Sequence, residues 1–210
     1  MIRATAPWSD LPRVTAILAA VGLVNFSRVP GNQLAIGQER GTAVHAVIEA
    51  EFYGYDVPSA PSDAGPRLAA YTTFVRESGY RVKCMEFEVI HPTQGYRGHP
   101  DSRGFLFGRR GIVDIKTGVL GPVIYQLGGY RAAWNAMAPQ TPVEWIAAVQ
   151  LRADGTYRFH EVDIAEAEAK WYAALTVYRD VPRNGQQQEG PMSMSATADF
   201  RCSSPPPQRE

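Results

Sequence analysis

GIVDIKT (residues 111–117) and the FLF run before it (residues 105–107) decide the predicted fold, because both have the composition of short β-strands. The glycine and two arginines at 108–110 lie between them and predict a hairpin. Side chains alternate along a strand, so Asp114 and Lys116 share one face and their apolar neighbours share the other. If the apolar face packs against a helix, Asp114 and Lys116 are expected to face an open cleft.

A second carboxylate, Asp101, ends the GHPD stretch just before the first strand. With the turn centred on residues 109–110, Asp101 lies on the same face as Asp114 but roughly 13 Å from it along the strand. A bend is therefore needed to bring the two carboxylates together. Pro100 and Gly104 are the positions where we expect a bulge or kink.

Two carboxylates beside a lysine are a donor set suited to magnesium. Mg²⁺ prefers oxygen ligands, keeps several waters and binds through one or two carboxylates together with substrate phosphate. An adjacent ammonium such as that of Lys116 can orient an attacking water or offset negative charge that develops on phosphate. The alternative interpretation is that Asp114 and Lys116 form a solvated strand face and that Asp101 is a turn residue.

Four short motifs occur in a fixed order along the chain. They are RGTAVH (residues 40–45), Pro100-Asp101, Asp114-Ile115-Lys116 and QLGGY (residues 126–130). Together they resemble the PD-(D/E)XK nuclease superfamily, and within it the RecB-type exonuclease branch common in phage recombination proteins. The resemblance spans roughly residues 12–178 and implies an α/β fold with a restriction-endonuclease-like mixed β-sheet core flanked by helices.

The resemblance also implies roles for individual residues. The implied metal ligands are His45, Asp101, Asp114 and the backbone carbonyl of Ile115, and the implied catalytic residues are Asp101, Asp114, Lys116, Gln126 and Tyr130. Gln126 and Tyr130 are four residues apart on a predicted helix and so share one face, as do His45 and Glu49. A histidine in an apolar helix can equally be a hydrogen-bonded core residue, which is the alternative for His45.

Other polar residues are candidates for supporting roles. A neutral imidazole ligand needs a partner for its second nitrogen, and Glu49 is the candidate acceptor for His45. Glu88 alternates with apolar neighbours in a strand-like run and is a candidate for the acidic residue that some relatives place before the PD element. The candidate DNA-binding cations are Arg40, Arg97, Arg103 and Arg131.

Composition limits the functions that are open to the chain. The formal net charge is zero, so overall charge gives no attraction to nucleic acid and local cations would have to supply it. Two cysteines cannot hold the four-cysteine iron–sulfur cluster of some RecB-type relatives. There is no GxxxxGK[ST] loop, so we expect no nucleotide cofactor. No apolar run reaches membrane-spanning length and none near the N-terminus resembles a signal peptide, so we expect no membrane partner and a cytoplasmic location, in the host cell if the chain is phage-encoded.

The predicted organisation is one nuclease domain over residues 1–180 and a tail over residues 181–210. The tail is rich in Gln, Ser, Pro and Gly, a composition typical of disorder. Within the domain, strands are predicted at about 80–91, 97–107 and 111–117, arranged as a meander, with two more at 143–151 and 157–162. Helices are predicted at about 11–22, 34–53, 66–78, 122–137 and 165–179.

The sequence therefore predicts a divalent-metal-dependent DNA nuclease that uses Mg²⁺, for which Mn²⁺ can substitute. The resemblance favours an exonuclease that acts on linear double-stranded or single-stranded DNA, with a single-strand annealing or recombination protein as a partner. Two alternatives remain open at this point: a structure-specific or single-strand endonuclease, and a noncatalytic module that binds DNA or protein on the same fold. RNA as the substrate is also open, and the sequence specifies no oligomeric interface.

Overall fold

The computed structural model describes residues 8–24 and 30–180. The helices are α1 (Val14–Ala20), α2 (Gly31–Tyr53), α3 (Gly65–Ser78), α4 (Val123–Met137) and α5 (Ile164–Asp180). The strands are β1 (Arg81–Met85), β2 (Val89–His91), β3 (Tyr96–Gly98), β4 (Ser102–Leu106), β5 (Arg109–Lys116), β6 (Trp145–Leu151) and β7 (Tyr157–Val162). None of these described helices combines the length and hydropathy that crossing a membrane requires. The predicted tail over residues 181–210 lies outside the described part.

Five strands form one mixed sheet in the order β1-β4-β5-β6-β7. Only β5 and β6 run parallel, and the other neighbouring pairs are antiparallel. The long connection through α4 makes the parallel pairing possible, since parallel neighbours need a crossover. Helices cover the sheet, so the predicted α/β fold with a mixed sheet flanked by helices is confirmed.

The first two predicted strands are each divided in the structure. The run at 80–91 becomes β1 and β2, and the run at 97–107 becomes β3 and β4, with β2 and β3 forming a separate two-stranded hairpin. Glu86 ends the first strand because its φ of 45° leaves the extended region. Pro100 lies in the break of the second run and has no backbone N–H for a ladder bond. The predicted meander therefore holds only for β1, β4 and β5.

The predicted turn between β4 and β5 was wrong by two residues. The turn consists of Phe107 and Gly108, whose φ values are 51° and 78°, as a two-residue hairpin with two left-handed positions requires. Ser102 consequently pairs with Val113, which makes Asp101 and Asp114 the next opposed positions. The 13 Å separation expected from the sequence does not exist, because it followed from the misplaced turn.

Two apolar cores lie on opposite faces of the sheet. On one face Val113 and Ile115 of β5 pack with Val44 and Phe74, which belong to helices α2 and α3. On the other face Ile112 packs in a cluster that draws on α1, α4 and α5. The Val/Ile face of β5 thus packs against helices as predicted. The opposite face is not the open cleft that the sequence suggested, because α4 covers it and α5 packs on α4.

His91 at the end of β2 gives the fold an expected sensitivity to acid. Its Nδ1 accepts a hydrogen bond from the Gln94 N–H at 3.3 Å, which requires that nitrogen to be unprotonated. Burial, assisted by the charge of Arg179, lowers the pKa of His91 from its ordinary value near 6.5 to about 4. The unfolded chain therefore binds the proton first, and stability contributed by neutral His91 is present above pH 6.5 and is lost as the pH falls towards 4.

We expect the free energy of unfolding of the wild type to fall by about 2 kcal/mol, through this residue, between about pH 7.5 and about pH 5. His91→Asn should remove that part of the slope, because asparagine can accept the same Gln94 bond without titrating. Urea unfolding of both proteins at the two pH values measures the difference. Equal slopes would show that His91 is not the titrating group.

Candidate active site

Asp101 is joined to β5 by a hydrogen bond across the end of the sheet. Its Oδ2 accepts the backbone N–H of Ile115 at 2.5 Å, and its own carbonyl accepts the N–H of Glu86 at 2.9 Å. Asp101 therefore takes the place of a strand residue between β5 and the segment after β1. The backbone of Asp101 is bonded on one side and its carboxylate on the other, and the second carboxylate oxygen, Oδ1, is directed at a third element.

That third element is helix α2, which contributes His45. The Nδ1 of His45 lies 3.2 Å from Glu86 Oε1 and 3.4 Å from Asp101 Oδ1, and its Nε2 lies 3.0 Å from the carbonyl oxygen of Ile115. One ligand atom from each of His45, Glu86 and Asp101 lies within 4.8 Å of the others, which makes them a candidate metal-binding group. Both imidazole nitrogens thus face oxygen atoms.

The protonation of His45 follows from this arrangement. Burial lowers its pKa, but the Asp101 and Glu86 carboxylates outweigh burial and raise the pKa well above its ordinary value. The second imidazole proton supplies positive charge between the two carboxylates. A divalent cation bound among the same oxygen and nitrogen atoms would supply that charge in its place.

Glu86 is the site residue that sequence reasoning missed. The sequence favours Glu88 as the acidic site residue, because Glu88 alternates with apolar neighbours in the same run. The structure instead pairs Glu88 with Arg97 at 2.8 Å on the surface. Glu49 is likewise not the partner of a His45 nitrogen, because Ile115, Glu86 and Asp101 provide those contacts. Burial raises the pKa of Glu49, and the negative charge of Glu86 raises it further. No strand pattern distinguishes Glu86 from Glu88, since the distinction comes from the left-handed backbone at Glu86.

Asp114 and Lys116 form a buried ion pair next to Asp101. Lys116 Nζ lies 2.6 Å from Asp114 Oδ2, and Asp114 is 1% exposed. Burial raises the pKa of Asp114 to about 6, the nearby Asp101 carboxylate adds to the rise, and Lys116 opposes it. Burial also disfavours the Lys116 ammonium, but the charges of Asp114 and Asp101 outweigh that effect and raise its pKa. Within the described residues, Asp114 Oδ2 accepts no hydrogen bond of favourable geometry.

Helix α4 carries the QLGGY residues and brings Tyr130 within electrostatic reach of the same carboxylates. Gln126 and Tyr130 are both buried, and the side-chain oxygen of Gln126 has no hydrogen-bond partner among the described residues. Burial raises the pKa of Tyr130 well above its ordinary value, and the charges of Asp114, Asp101 and Glu86 add to this. Gly98 leaves room for the Tyr130 ring, because a Cβ there would lie 2.5 Å from Tyr130 Cδ1.

Two of the predicted DNA-binding arginines are held inside the fold. Arg97 donates to the backbone carbonyls of Leu11 and Ser9, in addition to its pair with Glu88. Arg131 donates to the carbonyl of Val143 and forms an ion pair with Glu168. These contacts join separate segments of the chain, and structural stabilisation accounts for both side chains.

The other two predicted DNA-binding arginines each have a side-chain contact within the protein. Arg40 pairs with Asp63 at 3.1 Å, and the guanidinium of Arg103 lies 4.1 Å from the centre of the Trp134 ring. Burial lowers the pKa of Arg103. The Nε atoms of Arg40 and Arg103 are buried without a hydrogen-bond partner in the described part of the chain. Arg40 is the first residue of the RGTAVH motif in α2, five residues before His45, and Arg103 follows Asp101 by two residues.

The donor set fits a divalent cation such as Mg²⁺ or Mn²⁺. The carboxylates of Asp101 and Asp114, the carbonyl of Ile115 and the imidazole of His45 are the predicted ligands, and Glu86 adds a further carboxylate. The 3.0 Å between His45 Nε2 and the Ile115 oxygen is a hydrogen-bond distance, and a cation bound between these two atoms would take the place of the proton. Oδ2 of Asp114, which lies 2.6 Å from Lys116 Nζ, is a further carboxylate oxygen that a cation would contact.

Comparison with solved structures places the fold. A putative exonuclease from Eubacterium rectale matches with a TM-score of 0.52 and 12% identity, over 92% of this chain and 97% of that one. The fold of this chain is similar to that of the putative exonuclease. An alkaline exonuclease from Laribacter hongkongensis matches over 80% of this chain and 87% of its own at 17% identity, with a TM-score of 0.39. Its complex with dAMP gives 19% identity, 80% and 88% coverage and the same TM-score. No protein-family model matches the chain, and the search of curated proteins finds no relative.

Proposed function

We propose that this protein is a divalent-metal-dependent DNA nuclease of the PD-(D/E)XK type, which hydrolyses phosphodiester bonds and acts from DNA ends. One observation carries the proposal: the Asp101 carboxylate, hydrogen-bonded to Ile115, brings together the Asp114–Lys116 pair, His45 and Glu86 at one end of the sheet. The similarity of the fold to that of a putative exonuclease supports the proposal. The choice of DNA as the substrate is part of the proposal, because a fold does not by itself determine the substrate.

For the proposed reaction, Mg²⁺ or Mn²⁺ would be held by His45, Glu86, Asp101, Asp114 and the Ile115 carbonyl. The cation, when bound, lowers the pKa of water and polarises a phosphate oxygen. Lys116 keeps its proton, because its pKa is raised, and its ammonium offsets negative charge that develops on the phosphate.

Two residues of α4 complete the proposed machinery. Tyr130 also keeps its proton, because its pKa is raised, and its hydroxyl can donate a hydrogen bond to a phosphate oxygen. The free side-chain oxygen of Gln126 can accept a hydrogen bond from the attacking water. Tyr130 would thus bind the phosphate, and Gln126 would bind the attacking water.

End-directed digestion also defines the partners that we propose. Removal of one strand from a DNA end leaves single-stranded DNA, which a single-strand annealing or recombination protein would bind next. Because the formal net charge is zero, we propose that DNA is attracted by local cations, with Arg40 and Arg103 as the candidates.

The test is cleavage of end-labelled linear DNA, both double-stranded and single-stranded, beside a closed circle, in Mg²⁺, Mn²⁺ or EDTA. We expect metal-dependent loss of linear DNA with the circle left intact. Cutting of the circle would instead show an endonuclease. Absence of cleavage under every condition, with DNA still bound, would show the noncatalytic module, and RNA of the same sequence tests the choice of sugar.

Lys116→Met should lower the cleavage rate by about a hundredfold, while Mn²⁺ and DNA binding remain. Methionine keeps an apolar chain in the largely buried position and removes only the ammonium group. The control is Lys170→Met, since Lys170 is an exposed lysine paired with Glu166 on α5. Single-turnover rates measure the effect, and a normal rate in Lys116→Met would reduce Lys116 to a structural partner of Asp114.

A further inference from the structure

Glu86 is held in an unusual conformation by contacts on both sides. Its φ of 45° lies in the left-handed region, which non-glycine residues occupy at an energetic cost and which is concentrated at functional sites. Its N–H donates to the Asp101 carbonyl at 2.9 Å, so its backbone follows that of Asp101. The carboxylate is shared between two histidines, with Oε1 3.2 Å from His45 and Oε2 3.0 Å from His99.

His99 contacts Glu86 from the more exposed side of the site. Its side chain is 51% exposed, whereas that of Glu86 is 19% exposed. The backbone around it is fixed on both sides, because Gly98 pairs with Val89 in the β2–β3 hairpin and the Pro100 carbonyl accepts the N–H of Phe87 at 3.4 Å. The imidazole is thus presented from a rigid connection towards the outer oxygen of Glu86.

The contact between His99 and Glu86 matters because the Glu86 carboxylate can either face His45 and Asp101 or rotate away from them. One oxygen faces the group formed with His45 and Asp101, and the side chain would be free to rotate away if the other oxygen were unbound. Repulsion from Asp101, and from Glu49 on α2, favours such rotation. A hydrogen bond from His99 Nδ1 opposes it, and either the neutral tautomer or the imidazolium can supply that proton.

We propose that His99 is a positioning residue, which holds Glu86 Oε2 so that Oε1 stays available to a divalent cation bound with His45 and Asp101. The proposal rests on the function proposed above for the same site. His99 does not touch the DNA or the cation in this role. It acts as residues beside metal ligands commonly do, whose loss weakens metal affinity by about tenfold to a hundredfold.

The experiment measures Mn²⁺ binding to the full chain without DNA, by electron paramagnetic resonance, for the wild type, three site variants and one control variant. His99→Leu removes the donor, His99→Asn keeps a donor at nearly the position of Nδ1, and Glu86→Gln removes the charge. Glu161→Gln, on the exposed edge strand β7, is the matched control. We expect the Kd for Mn²⁺ to rise about tenfold in His99→Leu, to return most of the way in His99→Asn, and to rise more in Glu86→Gln.

Thermal unfolding in EDTA and DNA cleavage separate the remaining outcomes. The melting temperature in EDTA should be the same for both His99 variants, and kcat at saturating Mn²⁺ should recover while the Mn²⁺ concentration needed for half activity shifts. A wild-type Kd in His99→Leu, or equal losses in the leucine and asparagine variants, would overturn the role of His99. Failure of the wild type to cleave DNA while this Mn²⁺ pattern holds would overturn the nuclease proposal alone.

Discussion

Asp114→Asn is expected to lower DNA cleavage by about a thousandfold in either Mg²⁺ or Mn²⁺. Asparagine keeps the shape of the side chain but removes the charge from the oxygen that lies 2.6 Å from Lys116 and accepts no well-formed hydrogen bond within the described chain. That oxygen is the ligand that the cation would use, so metal affinity should fall with the rate. End-labelled linear DNA, with a Mn²⁺ titration in parallel, measures both quantities.

The variant should fold normally. Burial makes the charged form of Asp114 costly without a cation, as its pKa of about 6 indicates, and Lys116 still has Asp101 nearby when Asp114 is neutral. Asp154→Asn is the matched control, because Asp154 is exposed in the turn before β7 and accepts bonds from Thr156 that asparagine can also accept. Cleavage within about threefold of wild type in Asp114→Asn would remove the carboxylate pair from the proposed mechanism.

Gly128→Ala is expected to have the largest effect on stability among conservative changes in α4. A Cβ at Gly128 would lie 2.2 Å from the Ala167 carbonyl oxygen and 2.5 Å from its carbonyl carbon, and these are backbone atoms of α5 that cannot move aside as a side chain can. Overpacking of this kind costs about 3 kcal/mol, more than the roughly 1 kcal/mol that alanine gains over glycine inside a helix. The expected net loss is about 2 kcal/mol, or about 4–8 °C in melting temperature.

Thermal and urea unfolding measure this loss, with Gly65→Ala as the control. Gly65 begins α3 in right-handed helical geometry, and a Cβ there meets nothing within 4 Å. We expect no loss of stability in that variant. Because α4 carries Gln126 and Tyr130, Gly128→Ala should also reduce cleavage below the melting transition. Equal melting temperatures for the two variants would show that α4 and α5 pack less closely than the structure indicates.

Much of the fold follows from patterns that are local in sequence. Alternation along residues 111–117 identified β5 and the two faces of Asp114 and Val113, and helical spacing identified α4 and α5 to within one residue at most ends. These features are set by neighbours along the chain. The mixed sheet flanked by helices was predicted through the resemblance, and the structure confirms it.

The site was harder to predict because it depends on contacts between distant segments. The separation of Asp101 from Asp114 was wrong, since a left-handed Phe107 moved the hairpin turn and with it the whole register. Glu86 was overlooked because its backbone, and not its neighbours in sequence, turns it inward. The arginine predictions relied on charge alone, which cannot distinguish a cation held by backbone carbonyls, as Arg97 is, from one free to bind phosphate. The roles assigned to the remaining site residues stay predictions.

The atoms that face His45 come from parts of the chain that are far apart in sequence: Glu86 from the segment after β1, Asp101 from the segment before β4 and the Ile115 carbonyl from β5. A cation held by all of them would act as a reversible cross-link between helix α2 and the sheet. Detaching any one segment would release the cation, so the cation would bind only the folded chain. Its binding would therefore raise the free energy of unfolding, by about 2.7 kcal/mol when the free ion is a hundredfold above its Kd. Chelation would then weaken the whole molecule and not the site alone.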